Sequence, residues 1–224
     1  MRRTLEVRRT CWPARFPMKE KTLARSLWGI LLLVMVAAGF AVWQWLSPRP
    51  DPMPVLATIP DFSLTERSGE PFGLAQLRGQ VWVADFIFTN CGGTCPIMTT
   101  HMNELQSALA EARLTTVKLV SFTVDPERDT PEVLRRFADG YGAEKDRWFF
   151  VTGPGSAMQK LAKEGFMLAA AASGGNPEED VIHSNRFVLV DARGRIRKYY
   201  LGTEPGVAQQ IVQDLKHLLA EAHS

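Results

Sequence analysis

Cysteine is scarce in this sequence, with three residues in 224, and no internal repeat is visible. So few cysteines cannot form the dense disulfide framework of small secreted domains, and the lack of a repeat excludes a solenoid. An excess of one charge is also missing, because the formal net charge is only +2. A chain of this length with 46% hydrophobic residues can instead bury an ordinary hydrophobic core.

The charges are distributed unevenly along the chain. Residues 1–25 hold eight Lys or Arg and two acids, whereas the rest of the chain carries a net charge of −4. An acidic remainder argues against nucleic-acid binding. From Leu27 to Trp43 the sequence has no charged residue, and the apolar run continues to a length of about 20 residues. A run of that length predicts one membrane-spanning helix.

The membrane anchor is therefore predicted over residues 26–46, after a basic cytoplasmic segment at 1–25. A cleaved signal peptide is the alternative, but its apolar core is normally shorter. A Pro-rich linker at 47–57 would lead to one exported globular domain at 58–224. Because the N-terminal segment is short and poor in serine for a transit peptide, we expect a single-pass protein of the bacterial inner membrane with its domain in the periplasm. The natural start is either Met1 or Met18.

Apolar patterns within the domain alternate between strand and helix periodicity. They predict strands at 81–89, 117–124, 148–152, 187–190 and 195–201, and helices at 96–112, 131–141, 156–164 and 207–222. A hairpin within residues 61–77 is expected before them. This order predicts an α/β fold in which helices cover the faces of a sheet and parallel crossovers are right-handed.

Cys91 and Cys95 stand where the first of these strands gives way to a helix, in the segment FTNCGGTCP. Ligands collect at strand ends in open α/β sheets, and helix N-terminal amides stabilise a thiolate. A structural disulfide or two inert buried thiols are the alternatives, although so short a loop gains little from a disulfide. Cys11 precedes the anchor and would face the cytoplasm. We predict a redox-active or metal-binding pair.

His183 is the third candidate ligand, because it directly precedes a predicted strand after the polar segment 171–182. A histidine in such a place is by itself more often structural, so the assignment depends on its meeting the cysteines in space. Two thiolates and one imidazole would form a soft three-coordinate site that suits Cu(I) and tolerates Cu(II), whereas structural zinc prefers four ligands.

Four other donors are less favoured as ligands. Met98 and Met102 share the helix face of the cysteines, but core packing is the preferred interpretation. At 3.6 residues per turn, His101 should face away from Cys95. His217 is expected to be solvated on the last helix.

Asp125 and Asp129 follow the second strand in VDPERDTP. They could touch the edge of the site, but turn and helix-cap chemistry explains this segment without any function and is the interpretation we favour.

Several segments taken together resemble the Sco/SenC family. They are DFSL (61–64), FIFTNCGGTCPIM (86–98), SFTVDPERDTPEVL (121–134), WFFVTG (148–153) and IHSNRFVLVDARGRIRKYY (182–200). The resemblance implies a thioredoxin-like three-layer sandwich with a central mixed sheet, and copper ligation by Cys91, Cys95 and His183. Gly-Gly-Thr between the cysteines and Ile97 after them depart from the usual family pattern, but neither departure removes a ligand.

The family resemblance also implies a function. It points to a copper metallochaperone that delivers Cu(I) or Cu(II) to the binuclear copper site of cytochrome c oxidase subunit II, or to another periplasmic client. The alternatives are a thiol–disulfide oxidoreductase that reduces client cysteines, and a copper or redox sensor. Thioredoxin-type catalysts usually carry Cys-x-x-Cys, which is one residue shorter than the spacing found here.

Overall fold

A computed structural model of the chain describes residues 20–46, 52–168 and 184–221. The chain divides into two compact units, Met1–Asp51 and Pro52–Ser224.

The first unit contains helix α1, which runs over Glu20–Leu46 and includes the predicted anchor. Its described side chains, from Trp28 to Trp43, are exposed. Within the residues that the structure describes, no helix combines the length and the apolar character needed to cross a membrane.

The second unit alternates strands and helices, as the apolar patterns predict. Its elements are β1 (Ala57–Thr58), β2 (Ser63–Glu66), β3 (Pro71–Gly73), α2 (Leu74–Leu77), β4 (Trp82–Ile87), α3 (Cys95–Glu111), β5 (Lys118–Thr123), α4 (Pro131–Gly140), β6 (Trp148–Thr152), α5 (Gly155–Lys160), β7 (Arg186–Val190), β8 (Arg195–Leu201) and α6 (Val207–Glu221). A π-helical turn at Leu161–Gly165 continues α5.

The strands form one mixed sheet in the order β1-β8-β7-β4-β5-β6-β2-β3. The central strands β4, β5 and β6 are parallel to one another, whereas β7 pairs with β4 in the antiparallel sense. Parallel strands put their carboxyl ends at one edge of the sheet. The segment after β4 and the segment after β5 therefore lie side by side at that edge.

Helices cover both faces of the sheet. Strand β4 is therefore buried along its whole length, although its side chains alternate in direction. Val83 and Ile87 join a core cluster with α3, α4 and α6, whereas Trp82 and Phe86 join a second cluster with α2 and α5. The predicted α/β class, the three layers and the central mixed sheet are confirmed.

The differences from the predicted elements are small. Strand β1 was not predicted, because two residues show no periodicity. The predicted helix at 156–164 is an α-helix only as far as Lys160. The polar segment at 171–182 lies outside the described residues.

The first residues of the second unit are held against its sheet and its last helix. The backbone N–H of Met53 donates to Glu221 at 2.7 Å, and the Arg197 guanidinium donates to the Met53 and Pro54 carbonyls. Arg197 is buried and also pairs with Asp191 and Glu221, at 3.1 and 2.8 Å. This network fixes the chain before β1 begins.

Candidate metal centre

The two cysteines lie between the carboxyl end of β4 and the first turn of α3, as the sequence predicts. Strand β4 ends at Ile87, and α3 begins at Cys95 with Pro96 in its first turn. Proline suits that position, because the first N–H groups of a helix have no intrahelical partner. Both thiols are free.

Cys91 lies beside the backbone N–H groups at the start of α3. Thr94 stands at the N-cap position of α3 but makes no side-chain cap hydrogen bond. Partial burial by itself would raise the pKa of Cys91. Hydrogen bonds from the Cys95 thiol and from the backbone N–H groups of Cys95, Gly93 and Thr94 outweigh that effect, so the pKa of Cys91 is lowered.

Cys95 has the opposite environment, since only 6% of it is exposed and it packs with Met98 in the core. Burial, the hydrogen bond to Cys91 and the nearby charges of Cys91 and Asp85 together raise the pKa of Cys95 to about 12. Its carbonyl accepts a hydrogen bond from the Thr99 hydroxyl at 2.8 Å. Cys91 is therefore the thiol that ionises first.

Asp85 is a residue near the pair that the sequence analysis missed. It lies in the middle of β4 and is fully buried, and neither carboxyl oxygen has a hydrogen-bond partner. Burial raises the pKa of Asp85 to about 7, and the neighbouring Ser121 side chain offsets this only in part, without forming a hydrogen bond. The available signal was an acid inside an otherwise apolar strand.

Asp129 contacts the segment that leads to Cys91. This carboxylate is fully buried and accepts hydrogen bonds from the Thr89 backbone N–H and from the hydroxyls of Thr89 and Thr123. The favoured interpretation, turn and cap chemistry alone, is thus incomplete for Asp129. It holds for Asp125, whose carbonyl accepts from the backbone N–H of Asp129 at 2.9 Å in a turn.

His183 lies outside the described residues, and so does Cys11. The strand that follows His183, β7, is described and begins at Arg186. Within residues 20–46, 52–168 and 184–221, no group of three or more His, Cys, Asp and Glu side chains could hold a metal ion.

The less favoured donors are occupied elsewhere. Met98 and Met102 are fully buried, which agrees with their role in the core. The Nδ1 atom of His101 lies 2.8 Å from the Gly202 carbonyl oxygen. The prediction that His217 is solvated is wrong, because its ring is half-buried on α6 beside Glu221, with an Nδ1–Oε1 distance of 3.6 Å.

The thiol pair offers two kinds of chemistry. A part-exposed thiol of lowered pKa can act as a nucleophile or as a metal donor, and a buried thiol beside it can form a disulfide or complete a dithiolate. The donor set fits a soft ion such as Cu(I).

Comparison with known proteins identifies the relatives of this chain. Residues 51–220 match the model of the SCO1/SenC family. The SCO1 protein homolog of Bacillus subtilis strain 168 is 38% identical over 164 residues, which are 73% of this chain and 83% of that protein. The family resemblance seen in the sequence is therefore confirmed.

Solved structures agree with this similarity. BsSco, described as having a disulfide switch and as a member of the Sco family of cytochrome c oxidase assembly proteins, has a TM-score of 0.64 and 38% identity over 75% of this chain and 98% of its own. A copper-bound structure of yeast Sco1 shares the fold, with a TM-score of 0.56 and 23% identity over 73% of this chain and 94% of its own. The thioredoxin-like assignment of the fold agrees with both.

Proposed function

Because the chain belongs to the SCO1/SenC family, we propose that it is a copper metallochaperone that delivers copper to the binuclear site of cytochrome c oxidase subunit II. The observation that carries the proposal is the pair of free thiols at one strand–helix junction. Cys91 is part-exposed with a lowered pKa, and Cys95 is buried behind it. Two thiolates are the soft donors that Cu(I) prefers.

His183 is proposed as the third donor. Strand β7 pairs antiparallel with β4, so β7 begins at the sheet edge where β4 ends and where the cysteines lie. Two residues, Ser184 and Asn185, separate His183 from that strand. An imidazole added to two thiolates would complete a three-coordinate site and would also tolerate Cu(II).

Delivery would proceed by ligand exchange. Thiolates or imidazoles of the acceptor replace the donors of this chain one at a time, beginning with the part-exposed Cys91. Oxidation of both thiols to a disulfide transfers two electrons to an oxidant, releases two protons and leaves no thiolate to bind copper. The disulfide switch described for BsSco supports such redox control.

The test is an anaerobic Cu(I) competition assay on the reduced full-length protein in detergent. We expect one tightly bound Cu(I), and weaker binding in Cys91→Ala and in His183→Ala. The matched control is His101→Ala, because the His101 ring contacts the Gly202 carbonyl and should not bind copper. Wild-type affinity in His183→Ala would exclude His183 as a ligand, and a wild type that does not bind Cu(I) would refute the metallochaperone proposal.

A thiol–disulfide oxidoreductase is the second candidate. It is favoured by the unequal acidity of the thiols, because a reductant of disulfides needs one accessible nucleophile and one resolving thiol. The Cys91 thiolate would attack the disulfide of the client, and the Cys95 thiol, after losing its proton, would then release the reduced client and form the Cys91–Cys95 disulfide. Failure of the reduced protein to reduce an oxidised client peptide, while it still binds Cu(I), would exclude this reading.

Attachment of the protein to a bacterial inner membrane is also part of the proposal. The described side chains of α1 from Trp28 to Trp43 are apolar and exposed, and a basic segment precedes them in the sequence. A basic cytoplasmic flank would place the second unit in the periplasm. Proteolysis of spheroplasts should then digest the second unit, whereas resistance to protease before lysis would contradict this orientation.

A further inference from the structure

We propose that Asp129 is a positioning residue for the metal centre, because it ties the chain segment that leads to Cys91 to the neighbouring strand. This inference rests on the proposed function in so far as the centre binds copper. The hydrogen bonds that support it join Asp129 to Thr89 and Thr123 and do not depend on a bound metal.

Asp129 lies across the carboxyl ends of two parallel strands. Strand β5 ends at Thr123, which pairs in register with Ile87 at the end of β4. The Thr123 hydroxyl donates to Asp129 Oδ2 at 2.5 Å. On the other side, the Thr89 hydroxyl donates to Oδ1 at 2.5 Å and the Thr89 backbone N–H donates to Oδ2 at 3.1 Å. One carboxylate thus joins the ends of two strands.

The position of Asp129 is itself fixed by its own segment. Its backbone N–H donates to the Asp125 carbonyl at 2.9 Å, and the Asp125 N–H donates to the Thr123 hydroxyl at 3.0 Å. The next residue, Thr130, caps α4 by accepting a hydrogen bond from the Val133 N–H at 3.3 Å. The carboxylate is therefore held by a turn and by the start of a helix. Both are independent of the segment between β4 and α3 (residues 88–94), which we call the cysteine loop.

The cysteine loop needs such an anchor at its first end. At its second end, Cys95 belongs to α3, and its carbonyl accepts a hydrogen bond from the Thr99 hydroxyl. Between the cysteines, Gly92 and Gly93 are exposed, and a Cβ added at Gly92 would meet nothing within 4 Å. Cys91 follows Thr89 by two residues. The distance between the two sulfurs therefore depends on where Thr89 is held.

The proposal is tested in the reduced full-length protein in detergent with Asp129→Asn. An amide offers one acceptor oxygen where three donors converge, so the anchor should loosen. Loss of an outer partner of a metal ligand typically weakens metal binding by about 10- to 100-fold, and we expect an effect of that size on the Cu(I) dissociation constant. The matched control is Asp191→Asn, because Asp191 is a buried carboxylate at the opposite end of the sheet and also accepts several hydrogen bonds.

A pair of variants at Thr89 keeps the test independent of whether Asp129→Asn folds. Thr89→Val removes the hydroxyl donor and should weaken Cu(I) binding, whereas Thr89→Ser retains it and should restore wild-type affinity. Wild-type affinity in both Asp129→Asn and Thr89→Val would overturn the proposal. Equal weakening in Asp191→Asn and Asp129→Asn would also overturn it, because a general loss of stability would then explain the effect.

A metal-free measurement separates this inference from the proposed function. In Asp129→Asn and Thr89→Val, the equilibrium constant for closing the Cys91–Cys95 disulfide against glutathione should fall, because the thiols are less well oriented. Amide exchange at position 89, whose backbone N–H donates to Asp129, should rise at the same time. If wild type fails to bind Cu(I), these two changes still support the anchor, and their absence in both variants refutes it.

Discussion

The buried carboxyl of Asp85 makes the stability of the protein depend on pH in a defined direction. Burial raises the pKa of Asp85 from 3.8 to about 7. The folded protein therefore binds this proton more tightly than the unfolded chain does, so the free energy of unfolding falls as the pH rises from about 4 to about 7 and is level above that range. A pKa difference of about three, at about 1.4 kcal/mol for each pH unit, corresponds to about 4 kcal/mol.

Asp85→Asn removes this titration while it keeps the size of the side chain. The free energy of unfolding of the variant minus that of the wild type should rise by about 3 kcal/mol between about pH 4.5 and pH 8, because part of the change lies below that interval. Urea titrations of the reduced, metal-free protein, followed by tryptophan fluorescence, measure both values. Asp61→Asn is the control, since the Asp61 side chain is 76% exposed. A difference between Asp85→Asn and wild type that is constant with pH would refute the argument.

Other variants test separate parts of the second unit. Limiting iodoacetamide at neutral pH should alkylate Cys91 before Cys95, because Cys91 is the more exposed thiol and has the lower pKa; equal labelling by peptide mass spectrometry would contradict this. Gly202→Ala should lower the free energy of unfolding by about 1–3 kcal/mol in urea titrations, since the added Cβ would lie 3.1 Å from the Phe187 ring; an unchanged midpoint would exclude this contact. Thr130→Ala should cost about 1 kcal/mol by removing the α4 cap, whereas Thr130→Ser should retain wild-type stability.

Segments with a clear apolar period were predictable from the sequence. Strand β6 has the predicted limits, Trp148–Thr152, and α6 begins at the predicted residue, Val207. The place of the cysteines was predictable as well, because an apolar strand, a proline and an amphipathic helix follow one another in the sequence. Local signals of this kind depend only on residues near each other in the chain.

The remaining features depend on contacts between residues distant in sequence. Asp129 and Thr89 are 40 residues apart, and no spacing rule shows that they share hydrogen bonds. Asp85 looked like part of an apolar run, and its lack of a hydrogen-bond partner emerges only when β5 and α3 cover it. The ring of His217 is half-buried beside Glu221, although its place on a terminal helix suggested a solvated side chain.

The hydrogen bonds around Met53 lie at the end of the second unit that is opposite its thiols. Glu221 and Arg197 hold Met53 near the start of β4, as the pairing of Trp82 with Val190 and of Val190 with Ile196 shows, whereas the cysteines follow the end of β4. A strand of six residues is about 20 Å long. Met53 and the two cysteines are therefore separated by about the length of the central strand. Tension applied at Met53 would be borne by the Arg197 network, at the opposite end of the second unit from the thiols.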